Sequence, residues 1–288
     1  MALATIGLLL KKLVRFVVFT SFFLALCAVA MVYLTYLVFH LQPDYLFLAF
    51  TFCGTLCSYN FHWYLTPQSY SGSKKAAWSV RNKNLHLALC IAGGLGAAFF
   101  GVQLLQHWQW LTATAFLTFL YSAPLIPHPA ARWLQKIAIG KTLFLAFAWT
   151  HITSLLPIVL QQPIISDVEV VYVVQRFFLI YSICILFDYR DREQDLRQGI
   201  RSVITAFEPA GVHRFFWGNI IALLLWSVAL FYFHFHWTTV AALALPGIAV
   251  AALSDYSLSH PGDFLFYGVL DGLMALSLPL LLLFQWWL

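Results

Sequence analysis

The chain has 288 residues, 62% hydrophobic, 18% aromatic and only 9% charged, with a mean hydropathy of +0.82. Soluble domains carry roughly 25% charged residues, so this composition excludes a soluble globular enzyme. It points to an integral membrane protein, all-α because no segment alternates as a barrel strand would. The formal net charge of +5 needs no nucleic acid to account for it, because membrane topology does.

Lys11, Lys12 and Arg15 precede an apolar run that passes Tyr36, longer than the roughly 7–15 residues of a signal-peptide core. Leu26 also stands where a lipoprotein signal wants a small residue. The run reads as a retained first membrane helix. At about 20 apolar residues per span, the candidates in chain order are 13–41, 45–65, 85–105, 108–125, 137–160, 168–187, 215–235, 237–253 and 264–287. They predict nine transmembrane helices in a single domain, 1–288, with a central cavity.

The distribution of charge tests that count. With nine spans, every Lys and Arg except Arg176 falls on the side of the N-terminus, at 11–15, 74–83, 132–141 and 190–214. Asp44, Asp167 and Glu169 fall on the other side. Basic residues mark cytoplasmic loops, so the expectation is a cell-membrane protein with a cytoplasmic N-terminus and a C-terminus opposite. The two long cytoplasmic connections, 66–84 and 188–214, are where a site would be built. Cys27, Cys53, Cys57, Cys90 and Cys184 lie in apolar runs and read as small hydrophobes.

Charge is scarce, yet four acids fall in Asp188-Tyr189-Arg190-Asp191-Arg192-Glu193-Gln194-Asp195. On a helix, Asp188, Asp191 and Asp195 share one face about 60° wide. Two readings compete. One is a solvated helix stitched by Asp188–Arg192 and Glu193–Arg197 pairs at i, i+4. The other is a carboxylate set for Mg²⁺, which prefers carboxylate oxygens together with water and phosphate. Segregation of the acids from Arg190 and Arg197 favours the second.

The run Phe187–Ser202, with Asp188, Asp191 and Asp195 followed by Gly199 and Arg201, resembles the second aspartate motif of the UbiA-type intramembrane prenyltransferases. Nine spans with aspartate motifs after helices 2 and 6 is that family's architecture. Tyr121-Ser122-Ala123-Pro124-Leu125, with Lys141 beyond, resembles the family's stretch at the end of helix 4, although Leu125 replaces an expected lysine. The resemblance implies Mg²⁺-dependent transfer of an isoprenyl chain from its diphosphate to an aromatic or lipid acceptor. Asp188, Asp191 and Asp195 would be the catalytic metal ligands, with Asn60, Tyr121, Lys141, Arg201 and Asp271 binding substrate. The first motif departs from the pattern. Asn60 is in place, but Phe61, Tyr64 and Gln68 occupy its three aspartate positions. A catalytically silent relative with a binding or assembly role is therefore the alternative.

Asp271 lies inside the ninth span, where a carboxylate marks a site by default, with a hydrogen-bonded interhelical contact as the other reading. Arg176 is expected to snorkel to lipid headgroups, and His151 to be a packing residue.

Overall fold

A computed structural model describes residues 2–66, 73–122, 141–162, 164–197 and 202–287. Every regular element among them is helical. In order they are α1 (Ala2–Phe19), α2 (Phe22–Val38), α3 (Tyr45–Leu65), α4 (Lys74–Arg81), α5 (Lys83–Val102) and α6 (Trp108–Ser122). Then come α7 (Lys141–Thr150, prolonged through a π-helical turn at His151–Leu155), α8 (Asp167–Arg197), α9 (Val203–Ala206), α10 (Pro209–Ala229) and α11 (Trp237–Ser259). The chain ends in a π-helical turn (Leu265–Leu270), α12 (Asp271–Ala275) and α13 (Ser277–Trp287).

Five helices among the described residues are long and apolar enough to cross a membrane, and up to seven if each of two bent pairs is one span. The expected nine also included α3 and α6. The described part of α6 has 15 residues, and α3 carries Asn60, His62 and several hydroxyls within its 21 residues.

Local chemistry sets the boundaries. Asp44 caps α3 by accepting from the N–H groups of Leu46 and Phe47 at 2.9 and 3.1 Å, and Pro209 opens α10 where no N–H is needed. Asp167 and Glu169 sit in the first turn of α8, where the helix dipole favours acids. The π-helical turn of α7 is stitched to α2, because the Thr35 hydroxyl lies 2.8 Å from Thr153 O and 2.9 Å from Tyr172 Oη.

The first expected span is divided. α1 and α2 meet at 65°, with Ser21 in the left-handed region at φ 64°. A single helix through 13–41 is thereby corrected to two. At the other terminus α12 and α13 meet at 46°, and that bend receives Arg176. Its Nη2 donates to Met274 O at 2.6 Å and its Nη1 to Ser277 Oγ at 3.0 Å. Arg176 is fully buried, so the expectation of a snorkelling side chain is overturned. A bundle carbonyl and hydroxyl replace the headgroups as hydrogen-bond acceptors. His151 is buried with Nε2 3.2 Å from Trp110 O, a packing residue as read from sequence.

Candidate functional site

The acidic cluster lies on the last turns of α8, continuous with its apolar body. Asp188 and Asp195 are buried, at 8% and 2% exposure. The Thr142 hydroxyl, at the start of α7, donates to Asp188 Oδ2. Asp191 is bound by its neighbour: Arg190 Nε donates to Oδ1 at 2.8 Å and Nη2 to Oδ2 at 3.1 Å. The same guanidinium reaches Tyr267 Oη at 3.0 Å and lies 4.4 Å from the Phe266 ring centre. A planar fork suits this double duty of bidentate pairing and ring stacking.

Oxygen donors of this kind suit Mg²⁺ chemically, but their placement does not. Both Asp191 oxygens are taken by Arg190, and among the described residues no three His, Cys, Asp or Glu side chains come together to hold a metal. The residues as placed do not fit the metal centre that the family resemblance implies, so no chemical step is derived through one.

The expected substrate residues divide. Asn60 is fully buried. Its Nδ2 donates to Thr20 O at 3.0 Å and Leu56 O at 2.7 Å, and its Oδ1 accepts from His86 Nδ1 at 2.7 Å. Its amide thus joins a buried junction of α3 with α5 and the α1–α2 corner. Phe61 is half exposed, while Tyr64 lies under the Lys83 ammonium at 5.9 Å. Tyr121 and Lys141 belong to α6 and α7, but their side chains, and all of Arg201 and Gln68, lie outside the described residues.

Asp271 is buried on α12 within electrostatic range of Lys75 and Arg190. Lys75 is a residue that sequence reading passed over as ordinary loop charge. The hydroxyl of Ser73 caps α4 by accepting from Ala76 N at 3.0 Å. Asp263 accepts from Lys75 N at 2.6 Å, so two segments remote in sequence meet at one helix start. The Lys75 ammonium then lies 4.1 Å from the Tyr267 ring centre and 4.7 Å from that of Trp63. Burial pulls this ammonium down to about 8, against the raising pull of Asp271 and, more weakly, Asp263. Only the pair Lys74-Lys75 was visible in the sequence, and nothing marked which lysine turns inward.

A cavity of about 640 Å³ opens between α3, α5, α6 and α7. No charged side chain lines it among the described residues. Its wall includes Thr55, Phe61, Cys90, Ala115 and Trp149. Trp149 Nε1 donates to Tyr59 Oη at 2.7 Å, which holds two wall residues in register. On α7, Leu145, Ala148, Trp149 and Ile152 face the cavity. Thr142, which holds Asp188, stands one turn before Leu145. The apolar chamber and the acidic cluster are thus strung along one helix, a relation that no sequence motif encoded.

Comparison of the chain with family models, curated proteins and solved structures returns no match.

Proposed function

We propose that the chain is a UbiA-like nine-span membrane protein, with its N-terminus cytoplasmic, that binds an isoprenoid lipid without transferring it. The observation that carries this reading is the uncharged cavity of about 640 Å³, within the usual range of roughly 300–1,000 Å³ for ligand sites. Hydroxyls of Thr55, Ser58 and Tyr59 on its wall suit a neutral head or none. The first aspartate set has no acid at Phe61, Tyr64 or Gln68, and in the second, complete in sequence, Arg190 pairs with both oxygens of the middle acid.

Gly54 supplies the test. It lines the cavity, and a Cβ there meets nothing within 4 Å. Gly54→Leu is expected to extend its side chain into the cavity. It is expected to weaken binding of a tritiated polyprenol to nanodisc-embedded protein by about tenfold or more, at roughly 0.8 kcal/mol for each methylene displaced. Thermal stability should hold or rise, since glycine inside a helix costs about 0.5–1 kcal/mol. Polyprenol binding unaffected by this substitution would sink the cavity assignment.

The second reading is Mg²⁺-dependent prenyl transfer from an isoprenyl diphosphate to an aromatic or lipid acceptor. It is favoured by Asp188 and Asp195, both buried on one helix face, because Mg²⁺ prefers carboxylate oxygens together with water and phosphate. The two readings separate on one titration. Binding without transfer expects polyprenol and its diphosphate to bind alike with Mg²⁺ or with EDTA, and Asp191→Ala to change neither. Transfer expects Mg²⁺ to tighten only the diphosphate, Asp191→Ala to abolish that gain, and prenylated product to form.

A further inference from the structure

The first helix joins the bundle only at its last turn, where Val18 and Phe19 enter the core. Leu9 to Phe16 are all exposed, including Leu9 and Leu10 at 59% and Leu13 at 58%. Aromatic packing begins only at Phe19, whose ring lies 5.6 Å from Trp78. Leu9, Leu13 and Phe16 follow at i, i+4 and i+7, one face of a helix. At about 100° per residue, Lys11 and Arg15 lie roughly 165° and 125° from that face, and Lys12 on its flank roughly 65° away. Such a helix, apolar on one face and basic on the other, matches the composition of segments that lie in a membrane interface.

The corner that turns it is built rather than frayed. The Thr20 hydroxyl donates back to Phe16 O at 2.6 Å, Ser21 takes the left-handed conformation, and Ala25 N donates to Ser21 O at 3.0 Å as α2 starts. Thr20 O in turn accepts from Asn60 Nδ2, and His86 fixes Asn60. A buried three-residue relay from α5 through α3 therefore holds α1 at 65° to α2. Asn60, the surviving residue of the degenerate first motif, serves this corner.

We propose that α1 lies in the plane of the cytoplasmic leaflet, sinks Leu9, Leu13 and Phe16 to the acyl boundary, and binds anionic phospholipid headgroups through Lys11, Lys12 and Arg15. Charge complementarity names the occupant. Three basic side chains in one helical turn face a leaflet whose anionic lipids attract each Lys or Arg by roughly 1 kcal/mol, about fivefold apiece. The membrane also accounts for an apolar face that no part of the described chain covers. The inference rests on the transmembrane course of α2 and not on the cavity's ligand.

The full-length protein in nanodiscs of phosphatidylcholine with phosphatidylglycerol tests both halves. A benzoylphenylalanine photocrosslinker at Leu9, Leu13 or Phe16 should give phospholipid adducts, and at Lys11 should give few. Equal adducts at all four positions, none at any, or adducts to a second protein copy instead would overturn the in-plane placement. The combined variant Lys11→Gln, Lys12→Gln, Arg15→Gln changes only exposed side chains. It should lower phosphatidylglycerol retained through detergent extraction at least tenfold at low salt, leave phosphatidylcholine unchanged, and match the parent at high salt, where screening is strong. Unchanged retention of phosphatidylglycerol would refute the headgroup assignment whatever the crosslinks show.

Discussion

Asp271→Leu is expected to destabilise the protein by about 3 kcal/mol, the lower end of the cost of breaking a buried charge pair. Combining it with Lys75→Met should recover most of that loss. The argument is the burial of Lys75 and Asp271 on elements nearly two hundred positions apart, with Asp271 the strongest support for the ammonium. Removing the acid leaves the buried Lys75 ammonium between the Trp63 and Tyr267 rings and beside Arg190, with Asp263 as its weaker remaining acid. The loss has a ceiling. Lys75 can shed its proton, which costs roughly 5 kcal/mol at pH 7 from an ordinary lysine value of about 10.5. The pH dependence follows in sign. In the parent, Lys75 keeps most of its charge until near pH 8, so native and unfolded states differ by no more than about half a proton there between pH 7 and 8. In Asp271→Leu the native state has lost it while the unfolded state keeps it. Stability of the variant therefore rises with pH, by up to about 1.4 kcal/mol per unit. The gap between variant and parent should narrow from pH 7 to 8, read as a double-mutant cycle by unfolding titration in detergent. A gap that widens, or a double variant no better than the single, would show that the two charges do not answer one another.

How much of this was legible in the chain depends on the range of the interaction. Helical class, membrane character and many element positions followed from runs of apolar residues, because a bilayer reads only local composition. The 65° corner did not: Thr20-Ser21 lies within an unbroken apolar run, and the clamp that turns it comes from Asn60 and His86. The inward turn of Arg176 was hidden likewise, since its acceptors Met274 and Ser277 are about a hundred residues away. At the acidic cluster, helical phase placed Asp188, Asp191 and Asp195 on one side, and Asp188 and Asp195 are indeed both buried there. Phase treats every residue as a point at its Cβ, however. It could not show the long Arg190 side chain folding back on Asp191 while its far edge stacks on Phe266. Lys75 is the same case in reverse, a loop charge by sequence and the centre of a buried aromatic pair in space.

Close packing between α3 and α5 gives the other large expected effect, and three glycines grade it. A Cβ on Gly93 would stand 2.8 Å from both Cys53 O and Cys57 N, and 3.1 Å from Cys57 Cα. These are backbone atoms of α3, which yield only if the whole helix moves. On Gly96 the nearest atom would be Cys53 Sγ at 2.6 Å, a side-chain end that a rotamer change withdraws. On Gly54 there is open space. Alanine at these positions should therefore rank in one order. Gly93→Ala should cost about 1–3 kcal/mol, the usual price of overpacking. Gly96→Ala should cost less, and Gly54→Ala should gain roughly 0.5–1 kcal/mol from helix propensity. Gly93→Val should exceed the alanine cost and carry a second signature. Cys57 and Cys90, whose sulfurs are 3.7 Å apart across this seam, both line the cavity. Prising α3 from α5 would part them and widen the chamber, so an introduced thiol crosslinker of short span should join them less efficiently in Gly93→Val than in the parent. Equal melting temperatures for Gly93→Ala and Gly54→Ala would mean that the two helices are not in backbone contact.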